Sequence, residues 1–328
     1  MTLATTIGAG HDHVNEWLRF IFLAIFLAAA LEASSSPAPV DPGGLPYILV
    51  PGGTFVIGCV AEDLRCEPHE FPRKVVRLSA DFLMTRTPVT VGAFERFVGE
   101  TGYVPSSQAG QDGPVGRMYF ELGDGTGEWR WVRGLSWSRP LDPEREADPA
   151  WPVVQVTSAD AEAYCAWAGG ALPTEAQWER AARGGRPGDI HVWGQGEPQQ
   201  APEPPLNGPD RATAERFPSM ETFPAYDDGF AALAPVASFP PNAFGLHDMA
   251  GNVYEFTRSR YDERGYADLA AVDPEGPATG IGLVVRGGAW GYAPAHQRIS
   301  WRGYFSANSD FWTATLGFRC ARMVPAAS

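Results

Sequence analysis

Apolar and polar positions along this chain follow a strand period in a few short runs and a helix period in three places. Residues 47–58, YILVPGGTFVIG, predict two short strands joined at Pro51-Gly52-Gly53. Residues 77–84 alternate in the same way and are closed by Thr87-Pro88. Thr90 then caps a helix on which Phe94, Phe97 and Val98 fall at i, i+3 and i+4, giving one buried face. Ser158 starts a second helix through Ala168, with Tyr164, Cys165 and Ala168 along one side. Thr174 opens a third, TEAQWERAARGG, with Thr174 and Gln177 as a capping box and Gly184-Gly185 as its stop. Residues 103–151 read as loop, with Trp129, Trp131 and Trp137 set among Gly, Asp and Pro. Residues 195–226 read as an irregular acidic excursion. Residues 284–290 predict a strand running into a Gly-Gly turn, and residues 316–323 a closing strand.

The stretch with the densest information is residues 242–257, NAFGLHDMAGNVYEFT. Gly245 and Gly251 break it into turns, yet Phe244, Leu246, Met249, Val253, Tyr254 and Phe256 make it apolar enough to be buried. A buried loop must satisfy its backbone polar groups through side chains, water or a cation. Asp248 and Glu255 are its only acids. Two readings stand open: both carboxylates accept from turn N–H groups, or they join free carbonyls around a hard cation such as Ca²⁺.

Composition narrows the class. The 37 glycines and 30 prolines of 328 residues call for many turns and long ordered loops. A net charge of -14 and the lack of any basic patch exclude nucleic-acid binding. The four cysteines include no CxxC, which argues against a zinc ribbon or a thioredoxin-like motif. In an exported chain they suit two disulfides; in a cytosolic one, four buried thiols. Residues 17–31, WLRFIFLAIFLAAAL, are apolar apart from Arg19. They predict an N-terminal membrane anchor or signal segment over residues 1–33, a linker over 34–45 and a globular domain over 46–325 outside the cytoplasm, periplasmic or extracellular. As a helix those fifteen residues extend about 22 Å at 1.5 Å per residue. A hydrocarbon core is about 30 Å thick, so the helix is expected to pack on an integral-membrane partner.

Six runs, in this order, resemble the formylglycine-generating enzyme, or sulfatase-modifying factor, family. They are PGGTFVIG from Pro51, PVTVGAFERFV from Pro88 and DAEAYCAWAGGALPTEAQWERAARGG from Asp160. FPPNAFGLHDMAGNVYEFT from Phe239, VVRGGAW from Val284 and LGFRCAR from Leu316 complete the set. The resemblance implies a duplicated α+β fold related to C-type lectins, with little regular secondary structure. It also implies an oxidase that holds Cu(I) between two thiolates, four and nine residues after the second Gly of the RGG turn. Here those positions are Tyr292 and Gln297, and the family's serine position is Ala289. The expectation is therefore no copper and no formylglycine chemistry. Pro294, Arg298 and Arg302 instead match the spacing of non-oxidase relatives. A structural calcium site is implied at Asp248, Gly251, Val253 and Glu255, and a second at Asn207, Asp228 and Phe230. Cys165 and Cys320 match a family disulfide, leaving Cys59 and Cys66 as the second candidate pair.

The function expected is a non-catalytic, membrane-anchored module, an accessory subunit of an integral-membrane assembly such as a photosynthetic or respiratory complex. One alternative is a metal-dependent oxidoreductase with altered ligands, drawing on Tyr292, His296, Arg298 or Trp290. The other is a lectin-like surface protein that binds carbohydrate or peptide.

Overall fold

The computed structural model describes residues 38–109, 113–122, 124–305 and 311–324. They belong almost wholly to one unit, Val40–Ser328; the other, Met1–Pro39, contributes only its last residues. The expected anchor at residues 17–31 lies outside the described residues. Among those described, no helix is long and apolar enough to cross a membrane.

Strands β1 (Tyr47–Val50) and β2 (Gly53–Ile57) form where expected, but they do not pair with each other. β1 lies antiparallel to β4 (Phe82–Thr85), and β2 to β3 (Lys74–Leu78). Helix α1 (Val91–Thr101) begins at Thr90, whose side chain accepts from Ala93 N, and buries Phe94 and Phe97. The expected loop after it contains an unforeseen antiparallel hairpin, β5 (Val115–Glu121) with β6 (Gly127–Arg133). Helix α2 (Ser158–Trp167) is capped by Thr157 and Asp160, and α3 (Glu175–Arg183) by Thr174 and Gln177. Each such cap contributes about 1 kcal/mol by satisfying otherwise unpaired N–H groups. A short helix α4 (Arg211–Arg216) interrupts the acidic excursion.

Strand β7 (Tyr254–Arg260) begins inside the turn-rich stretch, so its last residues are regular. It stands between β8 (Leu283–Arg286) and β10 (Leu316–Gly317), with β9 (Gly303–Phe305) beyond β8. The single closing strand expected at the C-terminus is two. β10 joins the β7 sheet, whereas β11 (Ala321–Met323) crosses to the β1–β4 sheet. The bend between them carries Phe318 and Cys320 into the largest core cluster. There Phe94, Tyr164 and Phe318 meet ring to ring beside the Cys165–Cys320 disulfide, and Cys59 is bonded to Cys66. Both expected pairings are present. A second cluster packs Val50, Ile57, Met84 and Leu246 around Trp178 of α3.

Candidate functional site

Strand β8 ends in Gly287 and Gly288, both at positive φ. At Gly288 a Cβ would stand 2.8 Å from the His296 carbonyl and 2.3 Å from Gln297 Oε1. Only glycine lets the chain fold back this tightly. The fold-back brings residues 289–297 over the start of β7 and the front of β9.

A cavity of about 280 Å³ opens there, with His69, Tyr254, Tyr292, His296, Trp301 and Phe305 in its lining. Tyr254 is its hub. The ring centroids of Tyr292 and Trp301 lie 4.8 Å and 5.4 Å from it, and its hydroxyl is 2.5 Å from His296 Nδ1. His296 stacks on Trp301 at 4.0 Å. Burial pushes the His296 imidazole down to about 4, with the Arg298 charge acting in the same direction, so the ring is neutral near pH 7. Burial raises the Tyr254 phenol well above its ordinary value.

Tyr292 lines this cleft and Gln297 lies buried next to it, but neither has the chemistry that the family resemblance expects at these two positions. Gln297 is fully buried, and its Nε2 donates to the Ala289 carbonyl at 3.0 Å. It works as a strut that pins the fold-back. Tyr292 packs its ring on Tyr254 and on Trp129 of the β5–β6 hairpin. Neither side chain supplies a soft anionic sulfur, and all four cysteines are in disulfides. The residues present do not fit a bis-thiolate Cu(I) centre. Cys59, Asp63 and Cys66 do cluster, but with both sulfurs in a disulfide they are no metal site either.

Two other residues expected at the cleft are elsewhere. Trp290 is fully buried on the far side of the loop, tilted against Phe217, with its Nε1 on the Ala314 carbonyl. Arg298 turns into the interior, where it pairs with Asp63 at 2.7 Å and Glu70 at 2.6 Å. Beneath the cleft Arg286 bridges Glu175 and Glu179, and Arg302 forks onto both oxygens of Glu175. Removing one partner of such a pair costs about 3–5 kcal/mol, because a buried charge is left alone. These arginines are scaffold. His69, Tyr254, Trp301 and Phe305 were not singled out as cleft residues. Tyr254 was visible in the sequence only as an apolar residue, since nothing there shows that its hydroxyl meets His296.

The two expected calcium sets lie side by side. At Gly251 (φ 76) a Cβ would stand 2.2 Å from the Asn207 carbonyl, which accepts from Asn252 N at 2.7 Å. In the first set Glu255 is already engaged. Its Oε2 accepts from Trp178 Nε1 and Arg319 Nε, and its Oε1 from Arg319 Nη2, all at 2.7 Å. Asp248 Oδ2 accepts from Ala237 N at 2.8 Å, and burial pushes its carboxyl up to about 6. The backbone of Val253 continues into β7 beside it. In the second set no cationic side chain pairs with the carboxylate among the described residues. Asp228 accepts from Gly208 N and Phe230 N, and burial pushes it up to about 7. Asn207 Oδ1 is buried with no hydrogen-bond partner among the described residues. An orphaned neutral oxygen at Asn207 and a carboxylate hydrogen-bonded to the N–H of the next residue, Gly208, offer the donor chemistry of a hard cation.

The arrangement defines a class first: an α+β scaffold built around a Gly-Gly fold-back loop that carries no thiols. Residues 35–324 match the family profile described as sulfatase-modifying factor enzyme 1-like domain. The formylglycine-generating enzyme of Streptomyces coelicolor is 36% identical over 310 residues, covering 90% of this chain and 94% of that protein. A mouse protein named inactive C-alpha-formylglycine-generating enzyme 2 is 33% identical, covering 83% and 84% respectively. The structure of PvdO from Pseudomonas aeruginosa superposes with a TM-score of 0.66 at 24% identity, covering 89% of this chain and all of that one. The chain belongs to the formylglycine-generating enzyme family. Overall identity does not separate active from inactive relatives; the side chains of the fold-back loop bear on that.

Proposed function

We propose that this chain is a non-oxidising member of its family, a binding protein that keeps the cleft and lacks the copper centre. The observation that carries the reading is Gln297, buried in the loop with its Nε2 donating to the Ala289 carbonyl, at the position where the family resemblance calls for a second thiolate. The test is incubation with a cysteine-containing sulfatase-motif peptide, Cu(I) and O₂. No aldehyde is expected. Catalytic aldehyde formation by the purified chain overturns the reading and promotes the oxidoreductase with altered ligands.

Two further elements of the proposal concern place and metal. The domain works outside the cytoplasm, tethered by residues 17–31 to an integral-membrane assembly. Two disulfides support an oxidising compartment. Solubilising native membranes in mild detergent should recover the intact chain with a multi-subunit complex; a soluble protein that starts near Leu31 removes the tether and favours the surface-binding alternative. Calcium is held chiefly at Asn207, Asp228 and the Phe230 carbonyl. The Arg319 charge on Glu255 opposes equal affinity at the Asp248 set.

A further inference from the structure

Hairpin β5–β6 is a sheet of two strands, and its hydrogen bonds alternate along each of them. Gly134 N donates to the Pro114 carbonyl at 2.7 Å and Leu122 N to the Thr126 carbonyl at 2.9 Å, one pair beyond each end of the ladder. The register between them therefore bonds even-numbered residues to one another. The odd-numbered residues turn their N–H and C=O groups outward, to the two edges.

On β5 that edge is occupied. Arg117 N donates to Gln155 Oε1 and the Arg117 carbonyl accepts from Gln155 Nε2, both at 3.0 Å. The Val115 carbonyl accepts from Trp312 Nε1 at 2.7 Å. On β6 the edge is open. Among the described residues, no hydrogen bond satisfies the N–H and C=O groups of Trp129 and Trp131. The outer edge of β3 shows how the fold closes an edge elsewhere: Arg77 N donates to the Ala271 carbonyl and Asp273 N to the Arg77 carbonyl, each at 2.8 Å. An open edge seven residues long is a template for another strand.

The side chains of β6 are sorted by face, as the two-residue period requires. Trp129 stacks on Tyr292 of the cleft, and Trp131 meets Trp312 edge to face at 5.2 Å. Glu128 and Arg130 stand on the opposite face, half-exposed and paired with each other. A two-fold axis normal to the sheet would run two copies of β6 antiparallel. The registers that overlap most of the strand differ in what stands across from Arg130. One sets it against Arg130 of the second copy, one against Val132 and one against Glu128. The first opposes like charges, and the second gives Arg130 no counter-charge. The third centres the axis on Trp129, faces Glu128 with Arg130 twice, and lets the outward groups of Trp129 and Trp131 bond across the axis. Its charged pairs fall at the non-hydrogen-bonded positions, where facing side chains are closest.

We propose that the β6 edge pairs with the β6 edge of a second copy of this chain, antiparallel about Trp129, joining the two hairpins into one continuous sheet. Charge complementarity between Glu128 and Arg130 fixes the register. Because Trp129 stacks on Tyr292, the pairing sets one cleft on each side of the axis. The inference does not depend on what the cleft binds. One strand per copy is a small interface, so a Kd on the order of tens of micromolar is expected.

The full chain in mild detergent is followed by sedimentation velocity over a concentration series. The wild-type chain should pass from monomer to dimer. Glu128→Arg and Arg130→Glu each turn both facing pairs into like charges, and each should weaken the dimer about tenfold. Mixing the two variants in equal amounts opposes Arg to Glu again at both pairs. The mixture should recover a heterodimer of near wild-type affinity, which also shows that both variants are folded. Amide exchange at Trp129 and Trp131, followed by NMR, should slow as the dimer forms. Unchanged affinity in both variants, or a mixture no stronger than its components, overturns the proposal. A wild-type chain that stays monomeric throughout overturns it too, and leaves the edge to an extended segment of a different protein.

Discussion

The Asp248–Glu255 and Asn207–Asp228 sets look alike as lists of oxygen atoms, yet their surroundings treat negative charge in opposite ways. Glu255 lies against a bidentate guanidinium from Arg319 and an indole N–H, a closed arrangement whose charge is cancelled within the protein. Among the described residues Asp228 accepts from backbone donors, with Asp210 and Asp227 nearby adding negative charge, and Asn207 Oδ1 of the same set is unpaired. The difference teaches that the charge facing a carboxylate, more than its place in a motif, decides whether it has capacity left for a metal.

The sharpest way to break this contrast is to remove the guanidinium. Arg319→Met should leave Glu255 buried with the Trp178 N–H as its main remaining donor and cost about 3–5 kcal/mol in urea unfolding. An unchanged midpoint would mean that Glu255 does not depend on its arginine. Metal addition gives the next largest effect. Free Ca²⁺ at 100 times its Kd should stabilise the fold by about 2.7 kcal/mol over the chelated state. Asp228→Asn should remove that gain and Asp248→Asn should largely preserve it. The opposite pattern would transfer the ion to the Asp248 set.

The smallest effect is a slope with pH. The folded-state pKa of Asp228 stands above its ordinary 3.8, at about 7. Its protonated form is therefore favoured by folding, and the associated stability, full below about 4, is lost as pH rises through about 7. Between those values one group can contribute a slope of at most about 1.4 kcal/mol per pH unit, and partial solvation reduces it. In chelator, stability should fall between these values. Asp228→Asn should flatten part of the fall, the remainder following Asp248, and saturating calcium should cancel the Asp228 share. A slope unaffected by both treatments would remove Asp228 from the account.

Much of the scaffold was legible in sequence because its signals are local. Thr90, Thr174 with Gln177, and Gly184 fix helix ends through atoms within a few residues, and all appear as caps. The α+β class and the Cys165–Cys320 disulfide followed from the family resemblance, which left Cys59 and Cys66 as the second pair. The β5–β6 hairpin was missed because β6 is largely exposed and Arg117, Glu121, Glu128 and Arg130 break any apolar alternation, although β5 buries Gly116 and Met118. The split of the last strand was missed because nothing local shows that Gly317 and Arg322 belong to different sheets. In the cleft, Tyr292 and His296 were placed correctly. Trp290 and Arg298 were not, since their directions depend on Ala314 and on Glu70, residues distant in sequence.

Arg298 has a consequence for the order in which the molecule assembles. Its partner Asp63 is 235 residues earlier, and Glu70 228 residues earlier. Closing loops of that length is entropically unfavourable, and contacts of high sequence separation form slowly. His296 and Gln297 immediately precede this arginine, so the chain from residue 63 to residue 298 must be synthesised before the fold-back loop can lock. On the ribosome the residues of α1 to α3 are therefore all synthesised before the fold-back loop that completes the cleft. Proteolysis of nascent chains should show residues near 59–70 protected only after Arg298 has left the exit tunnel.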